Sequence, residues 1–360
     1  MNLKQKMIAT LGAVSLVSAM AAAPAVAADF TGKTIRVVAP FAPGGGGDLW
    51  TRLVVPHLAR HLPGKPTMII ENIAGGGQVT GANTFEREAT KDGLTVLTVS
   101  SSLFFSYSLA PDAKKIQFDP HKWRAVAASP VGSVFYVNQD PGVKTAKELG
   151  KVEDGKLVVP IAAPRGSDIR TLLSLELLGT QARPVVGLDA SEANLAFFRG
   201  ELNGGRETAG TFKQAFEPLV KEGKVIPLFS FGYPDKNGKL GRDPEFPDLP
   251  SFDEAYKQIH GKDPSGPAYD VWKVFFYSGV INSKGMVLPG GCPQDVVDAY
   301  DKAFEAMSKD PVFIEAAKAE LGGYPLVLGD AAQKSWENAI TMSPETRKWV
   351  DEWLKERFKI

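Results

Sequence analysis

Over its first third the chain alternates short apolar runs with glycine-rich turns. Residues 34–39, Thr-Ile-Arg-Val-Val-Ala, are β-branched enough to read as a buried strand. Glycines fill 44–47, and Asp48 opens a helical pattern that runs to residue 62. A second strand is predicted over 67–71, followed by Gly75, Gly76 and Gly77 and a helix over 82–89. A third strand over 94–99 ends in a polar loop of Ser100, Ser101 and Ser102. Strand, helix, strand, helix, strand predicts a parallel sheet with right-handed crossovers.

A similar pattern resumes further on. Residues 134–137 and 156–161 read as strands, and 168–178 and 193–199 as helices. The stretch 232–250 is rich in Gly, Pro and Asp and reads as a connection. The last third is helical: 293–307 and 311–321 are amphipathic, and 343–358 sets Trp349 and Trp353 on one face. Beyond residue 235 there are too few strands for a sheet of its own, so these helices are expected to return to the first lobe. The expected fold is α/β, with two doubly wound lobes around a central ligand cleft. Lobe 1 takes 29–127 plus 235–360, and lobe 2 takes 128–234. Ligands in such sheets lie beyond the carboxyl ends of the strands, which places the site in the cleft.

Composition supports two domains, since 360 residues exceed one ordinary core. Lys+Arg and Asp+Glu both number 41. The basic excess of a nucleic-acid binder is missing, while a local anion site stays open. The single cysteine, Cys292, allows no intramolecular disulfide and no multi-cysteine zinc site. In its Pro-Gly-Gly-Cys-Pro turn it reads as a packing residue rather than a catalytic thiol. Lys4 and Lys6 precede an uncharged stretch over 7–28 that ends Ala25-Val26-Ala27-Ala28. This describes a signal peptide over 1–28, cleaved after Ala27 or Ala28, with a retained anchor as the competing reading. The mature chain is expected to be soluble and periplasmic.

The strongest motif is Pro40-Phe41-Ala42-Pro43-Gly44-Gly45-Gly46-Gly47-Asp48, between the first strand and the first helix. Four glycines leave backbone N–H groups uncovered, and the helix start adds its own free N–H groups at the same place. Such an end attracts anions, although the dipole contributes only about 0.3–1 kcal/mol per exposed charge. Asp48 is expected first as an N-cap and second as a ligand contact. A tight turn without ligand is the competing structural reading. The loop ends Gly-Asp where a Walker loop needs Gly-Lys-Ser/Thr. A dinucleotide fold needs a third glycine where Leu49 or Trp50 stands, although Glu71 does end the second strand. No cofactor is expected.

Further candidates follow the same logic. Gly75 to Gly77 form a second glycine turn beyond a strand, and the hydroxyls of Ser100, Ser101 and Ser102 could donate to a carboxylate. In Ala163-Pro164-Arg165-Gly166-Ser167-Asp168, Ser167 or Asp168 could cap a helix. Arg165 could fork onto a carboxylate or stand solvated on the surface. His57 and His61, four apart on the first helix, lack the acid of a metalloprotease motif and read as a solvated face. Pro56 should bend that helix or remove one of its bonds.

Taken together, residues 35–48, Ile69-Ile70-Glu71-Asn72 with Gly75-Gly76-Gly77, and Asp92-Gly93-Leu94-Thr95 resemble the Bug- and TctC-type periplasmic receptors of tripartite tricarboxylate transporters. Lys144-Thr145-Ala146-Lys147-Glu148-Leu149 and Phe246-Pro247-Asp248-Leu249-Pro250-Ser251-Phe252 are similar to that family in order and spacing. The resemblance implies a Venus-flytrap fold, no catalysis, and a small carboxylate as partner together with the transporter's membrane subunits. No nucleic-acid partner is expected from the charge balance, and the chain is expected to be a monomer. The resemblance assigns carboxylate binding to Phe41, Pro43, Gly44 to Asp48 and Gly75 to Gly77, and more loosely to Ser100 to Ser102. An exported α/β hydrolase or dehydrogenase, or a receptor feeding a membrane sensor, are the alternatives. The second lobe departs at Pro164 to Asp168, at Leu188-Asp189-Ala190 and at Trp272 to Gly279, where the far end of a ligand would be read.

Overall fold

A computed structural model describes residues 28–44, 46–109, 113–161, 165–188, 190–234 and 239–359. The expected signal segment, apart from Ala28, lies outside the described residues, as do Gly45, Ala163, Pro164 and Asp189. In chain order the first elements are β1 (Thr34–Ala39), α1 (Gly46–His61), β2 (Thr67–Asn72), α2 (Val79–Glu88), β3 (Thr95–Ser100), α3 (Ser101–Ser108) and β4 (Arg124–Ser129). Next come β5 (Ser133–Val137), β6 (Val158–Ile161), α4 (Ile169–Leu177), β7 (Arg183–Val186), α5 (Ala190–Phe198) and β8 (Gly204–Thr208). Short helices α6 (Ala209–Thr211) and α7 (Glu217–Lys221) lead to β9 (Ile226–Ser230), β10 (Tyr233–Pro234) and β11 (Leu240–Gly241). The chain ends with α8 (Phe252–His260), α9 (Pro267–Phe276), β12 (Lys284–Leu288), α10 (Gln294–Ser308), α11 (Pro311–Leu321), β13 (Val327–Leu328), α12 (Gly329–Ile340) and α13 (Pro344–Phe358).

The largest sheet has the order β13-β4-β12-β3-β1-β2. β1 is parallel to both β2 and β3, as the alternation of elements predicts. It is covered on both faces, so Val37, Val38 and Ala39 are all buried and no polar alternation is needed. β2 is the edge strand, and its side chains alternate between exposed and half-buried. The sheet is not wholly parallel, however. β12 enters antiparallel between β3 and β4, and β13 adds antiparallel to β4. The sequence reading missed both, because β12 is a five-residue run in a helical context and β13 has two residues.

The second lobe holds an antiparallel sheet β8-β5-β9 and a separate parallel pair β6-β7. Here too the expected parallel winding is corrected: β5 comes directly from β4 across residues 130–132 and runs opposite to both neighbours. One large core cluster unites Phe105 of α3 with Val137, Leu172, Trp272, Phe275 and Leu354, so α9 and α13 pack against both regions. Trp349 and Trp353 stack on one face of α13, 6.3 Å apart, as their spacing predicts. Pro56 lies inside an unbroken α1. No described helix is long and apolar enough to cross a membrane.

Candidate functional site

Because β1, β2 and β3 run parallel, their carboxyl ends share one edge of the sheet. After β1 the chain turns at Gly44, whose φ of +82° suits glycine, and α1 begins at Gly46. Pro43, Gly44 and Gly46 are exposed, whereas Phe41 and Gly47 are half-buried. Gly47 has a steric reason to be glycine: a Cβ there would stand 2.5 Å from Phe41 Cε1. The Phe41 ring therefore lies against the first turn of α1.

Asp48 differs from its expected capping role. The helix starts two residues before it, and Asp48 is 1% exposed. Its Oδ2 accepts from the Gly44 N–H and from Arg52 Nε, both at 2.8 Å. Its Oδ1 accepts from Asn72 Nδ2 at 2.8 Å, and Asn72 also donates to the Phe41 carbonyl at 3.1 Å. The Arg52 hydrogen bond, followed by those of Asn72 and Gly44, holds the Asp48 carboxyl at about 2 against the opposing effect of burial. Asp48 thus braces the loop from below and ties it to the end of β2.

Gly75, Gly76 and Gly77 all adopt positive φ and are exposed, so the second turn offers backbone rather than side chains. Gln78 behind them is buried and joins the turn to β3. It donates to Ser100 Oγ at 2.5 Å and accepts from the Ser100 N–H at 2.9 Å. Ser106 Oγ donates to the Gly77 carbonyl at 2.9 Å. The expected serine loop is corrected: Ser100 closes β3, and Ser101 and Ser102 already form the first turn of α3. The Ser101 N–H donates to the Ser283 carbonyl at 3.1 Å.

Lys284 was not legible as a site residue. Its register in β12 sets it opposite both Ser100 and Ser129. Its Cε lies 3.9 Å from where a Cβ on Gly46 would stand. A cation from residue 284 therefore sits beside a loop at residue 46, a placement that no local pattern encodes.

In the second lobe, Arg165 Nη1 lies 3.3 Å from Asp351 Oδ1 on α13 and 3.4 Å from the Leu109 carbonyl. Its carboxylate partner in this structure is a protein one. Asp168 holds the N-cap position of α4 without a side-chain capping bond. Its Oδ1 instead lies 3.5 Å from Arg206 Nη2. Ser167 and Asp168 line a lobe 2 cavity, and Gly166 is half-buried just before them.

The other titratable candidates have ordinary partners. His57 Nδ1 lies 2.5 Å from Arg60 Nη2, and His61 Nε2 lies 3.0 Å from Asp310 Oδ2. No group of three His, Cys, Asp or Glu able to hold a metal comes together among the described residues. Burial, with Asp92 nearby, pushes the Cys292 thiol up to about 11, which disfavours the thiolate. Glu71 pairs with Arg36 at 2.5 Å.

No family model matches the chain. It is 26% identical to a UPF0065 protein of Bordetella pertussis over 311 residues, covering 82% of this chain and 83% of that one. It is 34% identical to protein BugT of the same organism over 108 residues, 29% of this chain and 32% of BugT. Among solved structures, a TctC solute binding protein from Polaromonas superposes with a TM-score of 0.67 at 14% identity, over 89% of this chain and 98% of that one. MatC from Rhodopseudomonas palustris, with bound malate, gives 0.58 at 21% identity, over 88% and 98%. The fold is that of a two-lobed periplasmic binding protein. The likeness to Bug- and TctC-type solute-binding proteins extends from the glycine motifs to most of the chain.

Proposed function

We propose that this protein is a periplasmic solute-binding receptor that captures a small organic carboxylate in the cleft between its lobes. One observation carries this reading. The start of α1 at exposed Gly46, the exposed turn 75–77 and Lys284 share one sheet edge. Backbone N–H groups and one ammonium suit a carboxylate, and the edge is the one where such sheets bind ligands. The malate bound to MatC agrees with that chemistry. Gly44, Gly46, Gly47 and the Gly75–Gly77 turn are assigned to the carboxylate, with Phe41 and Pro43 shaping the loop. Gly45 belongs to the same loop by sequence. The first crossing between lobes falls at residues 130–132, after β4 and before β5, rather than at 127/128; the second is placed at 234/235, residues 1–28 serve export, and the receptor delivers solute to membrane subunits of a tripartite tricarboxylate-type transporter.

Thermal-shift screening of the mature protein against di- and tricarboxylates, aromatic acids and amino acids tests the reading. A ligand at 100 times its Kd adds about 2.7 kcal/mol of stability. Gly44→Val should abolish the shift while the protein still folds, since φ of +82° strains valine and its side chain would stand over the site. A silent screen across all carboxylates would overturn the assignment.

A further inference from the structure

We propose that Gln78 is a positioning residue for the solute: it holds the second glycine turn in its binding shape without touching the solute itself. The inference rests on the reading that Gly75 to Gly77 hold a carboxylate. Among the described residues, the non-glycine residues at positive φ are Lys65, Gln78 and Lys359. Both lysines are exposed, whereas Gln78, at φ +79°, is only 5% exposed. A left-handed backbone strains any residue with a Cβ, and such strain persists only where the surroundings fix it. The three preceding residues are glycines, and a fourth would remove the strain. What glutamine adds at this position is its side-chain amide.

That amide continues a strand pairing that has run out. β1 pairs with β3 only as far as Leu97. The Ser101 N–H donates to the Ser283 carbonyl, on the side of β12. Successive N–H groups along an antiparallel strand face opposite sides, so the Ser100 N–H faces the β1 side, beyond the last β1 pair. Gln78 Oε1 accepts it at 2.9 Å, and Gln78 Nε2 donates to Ser100 Oγ at 2.5 Å. Two bonds from one side chain thus fix the end of the turn to the end of β3. The rest of the turn is wedged from both sides. A Cβ on Gly75 would stand 2.7 Å from Thr80 Oγ1, and one on Gly77 would collide with Ser106 Oγ. Glycine loses more backbone freedom on ordering than any other residue, and three lie here in a row. Without the Gln78 tether, solute binding would have to supply that order and would weaken accordingly.

Gln78→Asn isolates the tether, because asparagine also tolerates this backbone but is one methylene shorter. NMR relaxation of the unliganded mature protein should give order parameters of about 0.85 at Gly75 to Gly77 in the wild type and below about 0.6 in the Asn variant. β1 and β3 should stay rigid in both. Gln78→Glu keeps the reach and can accept from both Ser100 groups, so its turn should stay rigid. Calorimetric titration with succinate, citrate, benzoate and glutamate then reads the effect on binding. Each acid that the wild type binds should bind the Asn variant roughly threefold to tenfold more weakly, the worth of about one net hydrogen bond. Gln78→Gly, free of strain, should bind no better than the Asn variant. A turn that stays rigid in the Asn variant, or wild-type affinity in that variant, would overturn the inference. Loosening of β1 and β3 along with the turn would overturn it too, since that marks a merely structural role. Those results leave the receptor reading standing, whereas a wild type that binds no carboxylate removes both.

Discussion

Asn72 Nδ2 stands 2.8 Å from Asp48 Oδ1, so the last residue of β2 is bonded to a carboxylate in the first turn of α1. The same nitrogen reaches the Phe41 carbonyl, while Asp48 holds the Gly44 N–H from the other side. An exposed glycine loop is thereby fixed by groups that a solute need not touch. Preorganisation of this kind lowers the ordering cost of binding.

Asp48→Asn should destabilise the protein by about 1.5–3 kcal/mol, the range for a hydrogen bond to a charged group. Its pH signature has a definite sign. A carboxyl lowered from 3.8 to about 2 contributes fully above pH 4, and that contribution is lost as pH falls from 4 towards 2. Urea midpoints measured between pH 2 and 6 should show this loss in the wild type and a weaker one in the variant. Equal acid sensitivity in both would count against the brace.

Gly47→Ala separates binding from folding. Its Cβ would meet the Phe41 ring at 2.5 Å, and that ring is only half-buried, so it can swing outwards. The expected result is a small change in melting temperature with a large loss of carboxylate affinity. A titration showing wild-type affinity would place the solute away from this turn.

Lys284→Met should weaken carboxylate binding about tenfold or more, because it removes a charge-assisted contact beside Gly46. Lys284→Arg should retain most of the affinity. Raising ionic strength should weaken the wild type more than the Met variant. Identical salt dependence in the two would exclude a role for this ammonium.

Asp243 gives the opposite pH behaviour to Asp48. It is fully buried, accepts from the Tyr324 hydroxyl at 2.6 Å, and has no partner at Oδ2. Burial pushes its carboxyl up from 3.8 to about 6. Its contribution is therefore complete below pH 4 and is lost as pH rises through 6. Asp243→Asn should flatten that decline, read as urea midpoints from pH 4 to 7. Gly132 packs so closely here that a Cβ would stand 2.0 Å from Asp243 Oδ2, and Gly132→Ala should be strongly destabilising.

What the sequence determined by itself is local. The β-branched run 34–39, the turn glycines Gly44 and Gly75 to Gly77, and the spacing of Trp349 and Trp353 each express φ/ψ freedom or periodicity within a few residues, and each lies where its pattern puts it, whereas Gly46 and Gly47, expected in the loop, already belong to α1. The serines at 100–102 show the limit of such reading, because whether they form a loop or open α3 depends on packing that polarity does not report. Asp48 shows it again: a residue suited to capping is drawn instead to partners at 44, 52 and 72. Tertiary structure alone decided that β12 inserts antiparallel beside β3 and brings Lys284 to Gly46. It also decided that Gln78 meets the end of β3 at Ser100. These pairs lie far apart along the chain, and strand order and register, set by burial of the whole sheet, bring them together.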